Sequence, residues 1–247
     1  MSEVVPPRER SVPRWVPASL AFVAGYLDIY TFLALFGLFV ANVTGSFITA
    51  GAELVTHDVG IVGKAVAVIS FIVAAALTAG LIALARERGR PPLPWMLAFE
   101  ALLLAMFAAL ILAGPKVHGA GDWQAMVAGF LAAAAMGTQS AIVRLLLKGI
   151  PQTNVMTGNM TQLGIDTTEL LVAWRRQVRA PHDPQHARNF AAARSRLLTV
   201  MAIAAGFLFG AVSGAASYAR TGLAGTLVAV VIVSVLTIWA LARERAA

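Results

Sequence analysis

The amino-acid sequence predicts an all-α polytopic membrane protein, and three observations carry that prediction. The first is composition. Of 247 residues, 59% are hydrophobic and 13% charged, with a mean hydropathy of +0.77; soluble domains carry roughly 25% charged residues. Such a chain cannot cover a water-facing surface and is solvated by lipid. The second is length: a span needs about 20 apolar residues, and the chain supplies such runs repeatedly. The third is punctuation, because Gly, Pro and clusters of basic residues separate those runs.

In order, the apolar segments are 15–36, 38–55, 59–85, 93–113, 123–147, 154–174, 197–218 and 223–241. Gly37 and Asn42 interrupt the chain between the first two. The run from Arg86 to Pro92 closes the third, Gly114-Pro115-Lys116 the fourth, and Gly149-Ile150-Pro151 precedes the sixth. The longest polar stretch, 175–196, is expected to be a cytoplasmic loop. Its Arg175, Arg176 and Arg179 follow Trp174, an interfacial anchor type, and are expected to lie against anionic headgroups. The first apolar run follows Arg8, Arg10 and Arg14 with no small-residue cleavage site after it, so it is read as a retained helix. The whole chain reads as a single transmembrane domain.

Net charge is +7. On a soluble protein that would suggest nucleic acid; here no nucleic-acid partner is expected, because Lys and Arg gather in cytoplasmic loops. If all eight segments cross, Arg86, Arg88, Arg90, Arg144, Lys148 and Arg220 fall outside, six of the 19 basic residues. If the second and sixth segments enter and leave on one side, only Lys64, Lys116 and Arg220 lie outside. The expectation is therefore about six full spans plus two re-entrant or broken helices, with both termini cytoplasmic; seven or eight full spans is the alternative. Segments two and six are also the most polar, which suits backbone surrounded by protein or a watery cavity.

Those two segments match each other. Thr44-Gly45-Ser46 through Glu53 aligns with Thr157-Gly158-Asn159 through Asp166 at an offset of 113, and Gly25-Tyr26-Leu27-Asp28 echoes Gly137-Thr138-Gln139-Ser140 at an offset of 112. Two repeats, about 15–113 and 123–241, follow from this. With three crossings each, the second copy is inverted, a design common in secondary transporters and channels.

The stretches 25–53 and 139–169 resemble the YoaK family, also called domain of unknown function 1275. The resemblance rests on Gly25-Tyr-Leu-Asp28, Val43-Thr-Gly-Ser46, Gly137-Thr-Gln139 and Met156-Thr-Gly-Asn159. Ser46 stands where the family pattern leads one to expect Asn. The resemblance implies a permease-like protein of the bacterial inner membrane and names no substrate.

Ionisable groups inside a bilayer point to function by default. Asp28, Glu53, Glu100 and Asp166 lie within apolar segments and are candidate proton or ion carriers; a structural pair of Glu100 with Lys64 or Arg144 is the competing reading. Small and uncharged polar groups at Thr44, Gly45, Ser46, Gln139, Thr157, Gly158 and Asn159 are expected, with Asp28, to line a substrate or ion pathway. Helix packing by small residues competes with that reading. The His182-Asp183-Pro184-Gln185-His186 stretch reads as a solvated loop, so no metal is expected, and no cofactor. No nucleophile elbow, Walker loop or dinucleotide fingerprint is present, so no enzyme is expected. The functional expectation is a small secondary transporter or channel-like permease with a polar midplane site for a small solute or ion. The alternative is a structural or regulatory membrane protein that binds a partner. An intramembrane enzyme acting on lipid ranks below both. A homo-oligomer is compatible with either leading reading.

Overall fold

A computed structural model gives the fold and describes residues 12–56, 60–114 and 117–246. Arg8, Arg10 and Lys116, used above to weigh topology, lie outside the described residues. Eight α-helices follow in order: α1 Trp15–Ala34, α2 Val43–Thr56, α3 Ile61–Glu87, α4 Pro92–Ala113, α5 Trp123–Leu146, α6 Met156–Arg179, α7 Pro184–Thr221 and α8 Leu227–Arg245, with a 3-10 turn Gly222–Thr226 before α8. By length and composition α1, α3, α4 and α5 can each cross a membrane, as can the continuous stretch Pro184–Arg245 that holds α7 and α8. Large apolar side chains on the outside of α3 (Ile69, Ile72, Leu77), α7 (Leu208, Phe209, Val212) and α8 (Val231, Val235, Ile238) are exposed. A soluble monomer does not carry such a belt; this is the build of a polytopic membrane protein.

Two helix boundaries differ from the sequence expectation. Residues 38–42 are not helical, and α2 starts at Val43. The polar stretch 175–196 is not a loop. It contains the end of α6, a short turn and the start of α7. Asp183 accepts a hydrogen bond from Gln185 N at 2.8 Å, and Pro184 occupies the first helical turn. An Asp cap followed by Pro is a helix start; the signal was in the sequence, and the polar character of the stretch obscured it. At 1.5 Å per residue, the 38 residues of α7 extend about 57 Å. That is nearly twice the roughly 30 Å hydrocarbon thickness. The polar end of α7 therefore stands beyond the membrane beside α6, where Arg196 forms an ion pair with Glu169.

The centre is built from two parallel helix pairs. Along α1 and α7, Gly206 lies against Ala18 and Gly210 against Phe22, while Gly214 meets Tyr26. Along α5 and α3, Ser70 Oγ donates to Phe130 O at 2.7 Å and Thr78 Oγ1 to Thr138 Oγ1 at 3.2 Å. Ala18 and Phe130 are 112 apart, as are Tyr26 and Thr138; Gly206 and Ser70 are 136 apart, as are Gly214 and Thr78. The two pairs thus share one contact register. Gly25 and Gly137 occupy equivalent places in it. A Cβ on Gly25 would collide with the Phe207 carbonyl, and a Cβ on Gly137 with the Phe71 carbonyl. These glycines allow backbone to touch backbone, the use small residues have in membrane helix packing.

Contacts also sort the helix ends into two faces. On one face, Arg14 Nη2 donates to Ser195 Oγ at 2.8 Å, Arg86 Nη2 to Leu145 O at 2.9 Å, and Trp15 meets Trp239 edge-on at 5.1 Å. On the other, Tyr26 donates to Gly225 O at 2.7 Å, Tyr30 donates to Gly222 O, and Leu35, Phe36, Lys64 and Ala120 surround one small cavity.

Candidate functional site

The segment joining α1 to α2 folds back into the protein. Phe36 and Gly37 both take positive φ, 54° and 77°, and reverse the chain after α1. Thr31 Oγ1 donates to Leu38 O at 2.9 Å. Asp28 then receives the backbone: its Oδ1 accepts from Val40 N at 2.9 Å and Ala41 N at 2.7 Å, and its Oδ2 from Asn42 N at 2.9 Å. Asp28 lies about 9 Å back from the end of α1, so α2 begins about a third of the way back along that helix. Its far end returns to the face it came from, where Glu53 pairs with Lys64 and Lys64 Nζ also donates to Phe36 O at 3.3 Å. Asn42 Oδ1 accepts from Thr44 Oγ1 at 2.7 Å and Gly45 N at 3.3 Å, capping the start of α2.

The segment joining α5 to α6 repeats the manoeuvre. Gly149, with φ of 75°, stands 112 residues after Gly37 and makes the corresponding reversal, again at a residue with no side chain to strain. The helices end 112 apart, at Ala34 and Leu146, and the loop carbonyls of Phe39 and Gln152 are 113 apart, so the extra residue lies between 147 and 152. That reconciles the two offsets seen in the sequence. Ser140, at the position of Asp28, accepts from Asn154 Nδ2 at 2.8 Å, and Gln139 Nε2 donates to Thr153 Oγ1 and to Leu20 O, each at 3.0 Å. Ser46 Oγ donates to Phe39 O at 2.7 Å, and Asn159 Nδ2 donates to Gln152 O at 2.7 Å, again 113 apart at both ends. Ser46 therefore performs the task its Asn counterpart performs.

The two folded-back segments meet. Asn154 Nδ2 donates to Ala41 O at 3.1 Å, a contact between residues 113 apart and therefore between equivalent positions. Thr44 and Thr157 are not at this meeting point; both are exposed, in the first turns of their helices, as is Gly158. Gly45 is buried against Phe39 and Asn42. Asp28 is 4% exposed with both oxygens occupied by backbone N–H groups, so its carboxylate is committed to holding residues 40–42. A carboxylate satisfied by three backbone donors is a strong local clamp.

Open space lies on one side of this centre. A cavity of about 810 Å³ opens on the face of Arg14 and is lined by Arg14, Arg144, Gln152, Gly158, Asn159, Gln162, Asp166 and Arg196, among others. On the opposite face the corresponding space is about 20 Å³, beside Lys64. Asp166 and Glu53, equivalent in sequence, each face a cation from the following helix. Glu53 is closed onto Lys64, whereas Asp166 Oδ1 lies 3.8 Å from Arg196 Nε. Glu100 pairs with neither Lys64 nor Arg144: it is 0% exposed, and neither oxygen has a hydrogen-bond partner among the described residues. Arg144 is exposed at the cavity, and Lys64 is engaged by Glu53. Sequence reasoning missed the contribution of Arg14, Gln152 and Arg196 to the cavity. The first precedes the apolar run, the second is in the loop, and the third lies in the stretch read as a separate loop.

A family model described as a protein of unknown function, DUF1275, matches residues 16–239. The chain belongs to the DUF1275 family. The match covers both folded-back segments and every helix of the centre, so the geometry above describes how one DUF1275 chain is built. Searches of curated proteins and of solved structures returned no match.

Proposed function

We propose that this DUF1275 protein is a small secondary transporter or channel-like permease of the bacterial inner membrane, built from two inverted repeats, and that it is not an enzyme. The observation that carries the reading is the unequal state of two acid–base pairs whose carboxylates match in sequence and whose cations, Lys64 and Arg196, stand one helical turn apart in the shared register. The Glu53–Lys64 pair closes one face over about 20 Å³ of space, while Asp166 and Arg196 form a longer 3.8 Å pair, with Arg196 shared with Glu169, beside about 810 Å³. A cavity of that size suits a small solute. A tight pair over a closed space on one face and a looser pair beside an open cavity on the other fit alternating access around a central site.

The shared register of the α1–α7 and α3–α5 pairs supports the repeat. The crowding of Arg14, Arg86, Arg144 and the 195–199 region on one face supports six spans, with α2 and α6 entering and leaving on their own sides. If all eight helices crossed, Arg14 and Arg144 would lie on opposite sides; both line one cavity. The positive-inside rule makes that face cytoplasmic, with both termini on it.

The chain has no cysteine, which makes accessibility a clean test. In Gly158→Cys, a membrane-impermeant thiol reagent should label the cavity from the cytoplasmic side only. In Leu38→Cys, labelling from the periplasmic side should be slow and should rise when Glu53→Gln opens the outer pair. Leu38 labelling that ignores Glu53→Gln would overturn the alternating-access reading, and labelling of Gly158→Cys from outside only would overturn the orientation.

A further inference from the structure

The ligand chemistry of the large cavity can be read from what its walls offer and what they lack. Arg14, just before α1, and Arg144, near the end of α5, both line it, and the start of α6 presents its cap residue Val155 and Gly158. The ends of Arg14 touch Ser195 and Thr199, both neutral, so its charge is not matched by a carboxylate there. Arg144 forms no ion pair among the described residues. Arg196 is already matched by Glu169. Two arginines and the positive end of a helix therefore call for an anionic group.

A simple anion is an incomplete answer. Asp166, 1% exposed, lines the same cavity. Its Oδ1 accepts from Gln162 Nε2 at 2.9 Å and lies 3.8 Å from Arg196 Nε, a cation shared with Glu169, and its Oδ2 has no donor among the described residues. Gln152 Oε1, also on the cavity wall, is likewise buried without a donor. Buried acceptors left unpaired are costly, and an inorganic anion brings them nothing. We infer that this cavity binds a small amphoteric ligand: a phosphate or carboxylate held by Arg14 and Arg144, joined through a few bonds to an ammonium held by Asp166. The inference deepens the permease reading by giving the substrate class. The same chemistry occurs in a free solute and in the headgroup of an aminophospholipid.

Equilibrium binding to the full-length protein, in nanodiscs of phosphatidylglycerol alone, tests this without any flux measurement. Phosphoethanolamine and glycine are the amphoteric probes, with inorganic phosphate and ethanolamine as half-ligands. At least one amphoteric probe should bind at least about tenfold more tightly than either half-ligand, a difference expected when a second charged contact is made. Asp166→Asn should abolish that preference while leaving weak phosphate binding, and Arg144→Gln should weaken phosphate and phosphoethanolamine alike. Unliganded unfolding midpoints within a few degrees of the wild type would show that both variants fold. If either does not fold, a direct comparison of the four probes on the wild type still decides the matter. Adding phosphatidylethanolamine to the nanodiscs separates the sources: loss of probe binding assigns the site to the lipid headgroup, and unchanged binding assigns it to a free solute. Equal affinity for phosphate and phosphoethanolamine, absence of binding by both amphoteric probes, or an undiminished preference in a folded Asp166→Asn protein would overturn the inference. Binding without transport in proteoliposomes would sink the permease reading and leave this one standing.

Discussion

Asp28→Asn changes one atom and tests whether this residue holds the first folded-back segment. In the wild type, three backbone N–H groups converge on the carboxylate over 2.7–3.2 Å. An asparagine can keep its oxygen toward Val40 and Ala41, but its amide then opposes Asn42 N–H, donor to donor. This part-buried donor loses its shorter bond and keeps only the 3.2 Å contact to the oxygen, at a cost of about 1–3 kcal/mol. The two surviving bonds lose the assistance of a full charge, about 0.5–1 kcal/mol each. The sum is about 2–5 kcal/mol, against folding stabilities of about 5–15 kcal/mol. Denaturant unfolding in mixed micelles would read the loss, and Leu38→Cys would become more reactive as residues 38–42 loosen. The expectation from sequence that Asp28 carries a coupling proton gives the opposite pattern. An Asp28→Asn protein as stable as the wild type, within about 0.5 kcal/mol, yet unable to couple flux to protons, would refute the clamp.

Other outcomes follow from the equivalent positions. Asn159→Ser should be tolerated, because Ser46 already bonds its own loop carbonyl, while Asn159→Ala and Ser46→Ala should each lose about 1 kcal/mol by unfolding measurement. Gly25→Ala and Gly137→Ala should each cost about 1–3 kcal/mol, because each added methyl meets a main-chain carbonyl that no rotamer change can move. Equal stability to the wild type would show that the helix pairs separate freely. Outside the membrane-spanning helices, Asp122 accepts hydrogen bonds from His118 N and Gly119 N, which lower its pKa below 3.8. Its contribution to holding that turn is therefore present above the unfolded value and lost as the pH falls through the lower folded one. A carboxyl ¹³C titration should find the midpoint below 3.8, and a midpoint at or above it would contradict the contact.

The apolar runs and their breakers carried most of the fold. Helices α1, α3, α4 and α5 begin or end within a few residues of the sequence expectation, because Gly, Pro and basic clusters punctuate them. The long α7 was hidden by composition: its polar N-terminal part resembles a loop until Asp183 and Pro184 are read as a helix start. The matching Thr-Gly motifs open α2 and α6, but the hydrogen bond between the two folded-back segments is made just upstream of them, by Ala41 and Asn154. Neither residue advertises this. Ala41 acts through its carbonyl, and Asn154 lies at the edge of its apolar segment. The role of Asp28 was equally illegible, since a carboxylate within an apolar helix can carry a proton or satisfy backbone donors, and only the folded path of residues 40–42 distinguishes the two. The cavity lining draws on residues distant in sequence, Arg14, Arg144 and Arg196, which no local pattern connects.

Spin-label distances across both mouths test the central claim most directly, because alternating access requires the two faces to move in opposition. One pair, Ile150→Cys with Ser195→Cys, spans the large cavity; the other, Leu35→Cys with Ala120→Cys, spans the small one. The account predicts two populations at each mouth, with Glu53→Gln shifting the outer pair toward longer distances and the inner pair toward shorter ones. A single, unchanging distance at each mouth, in the wild type and in Glu53→Gln alike, would contradict it.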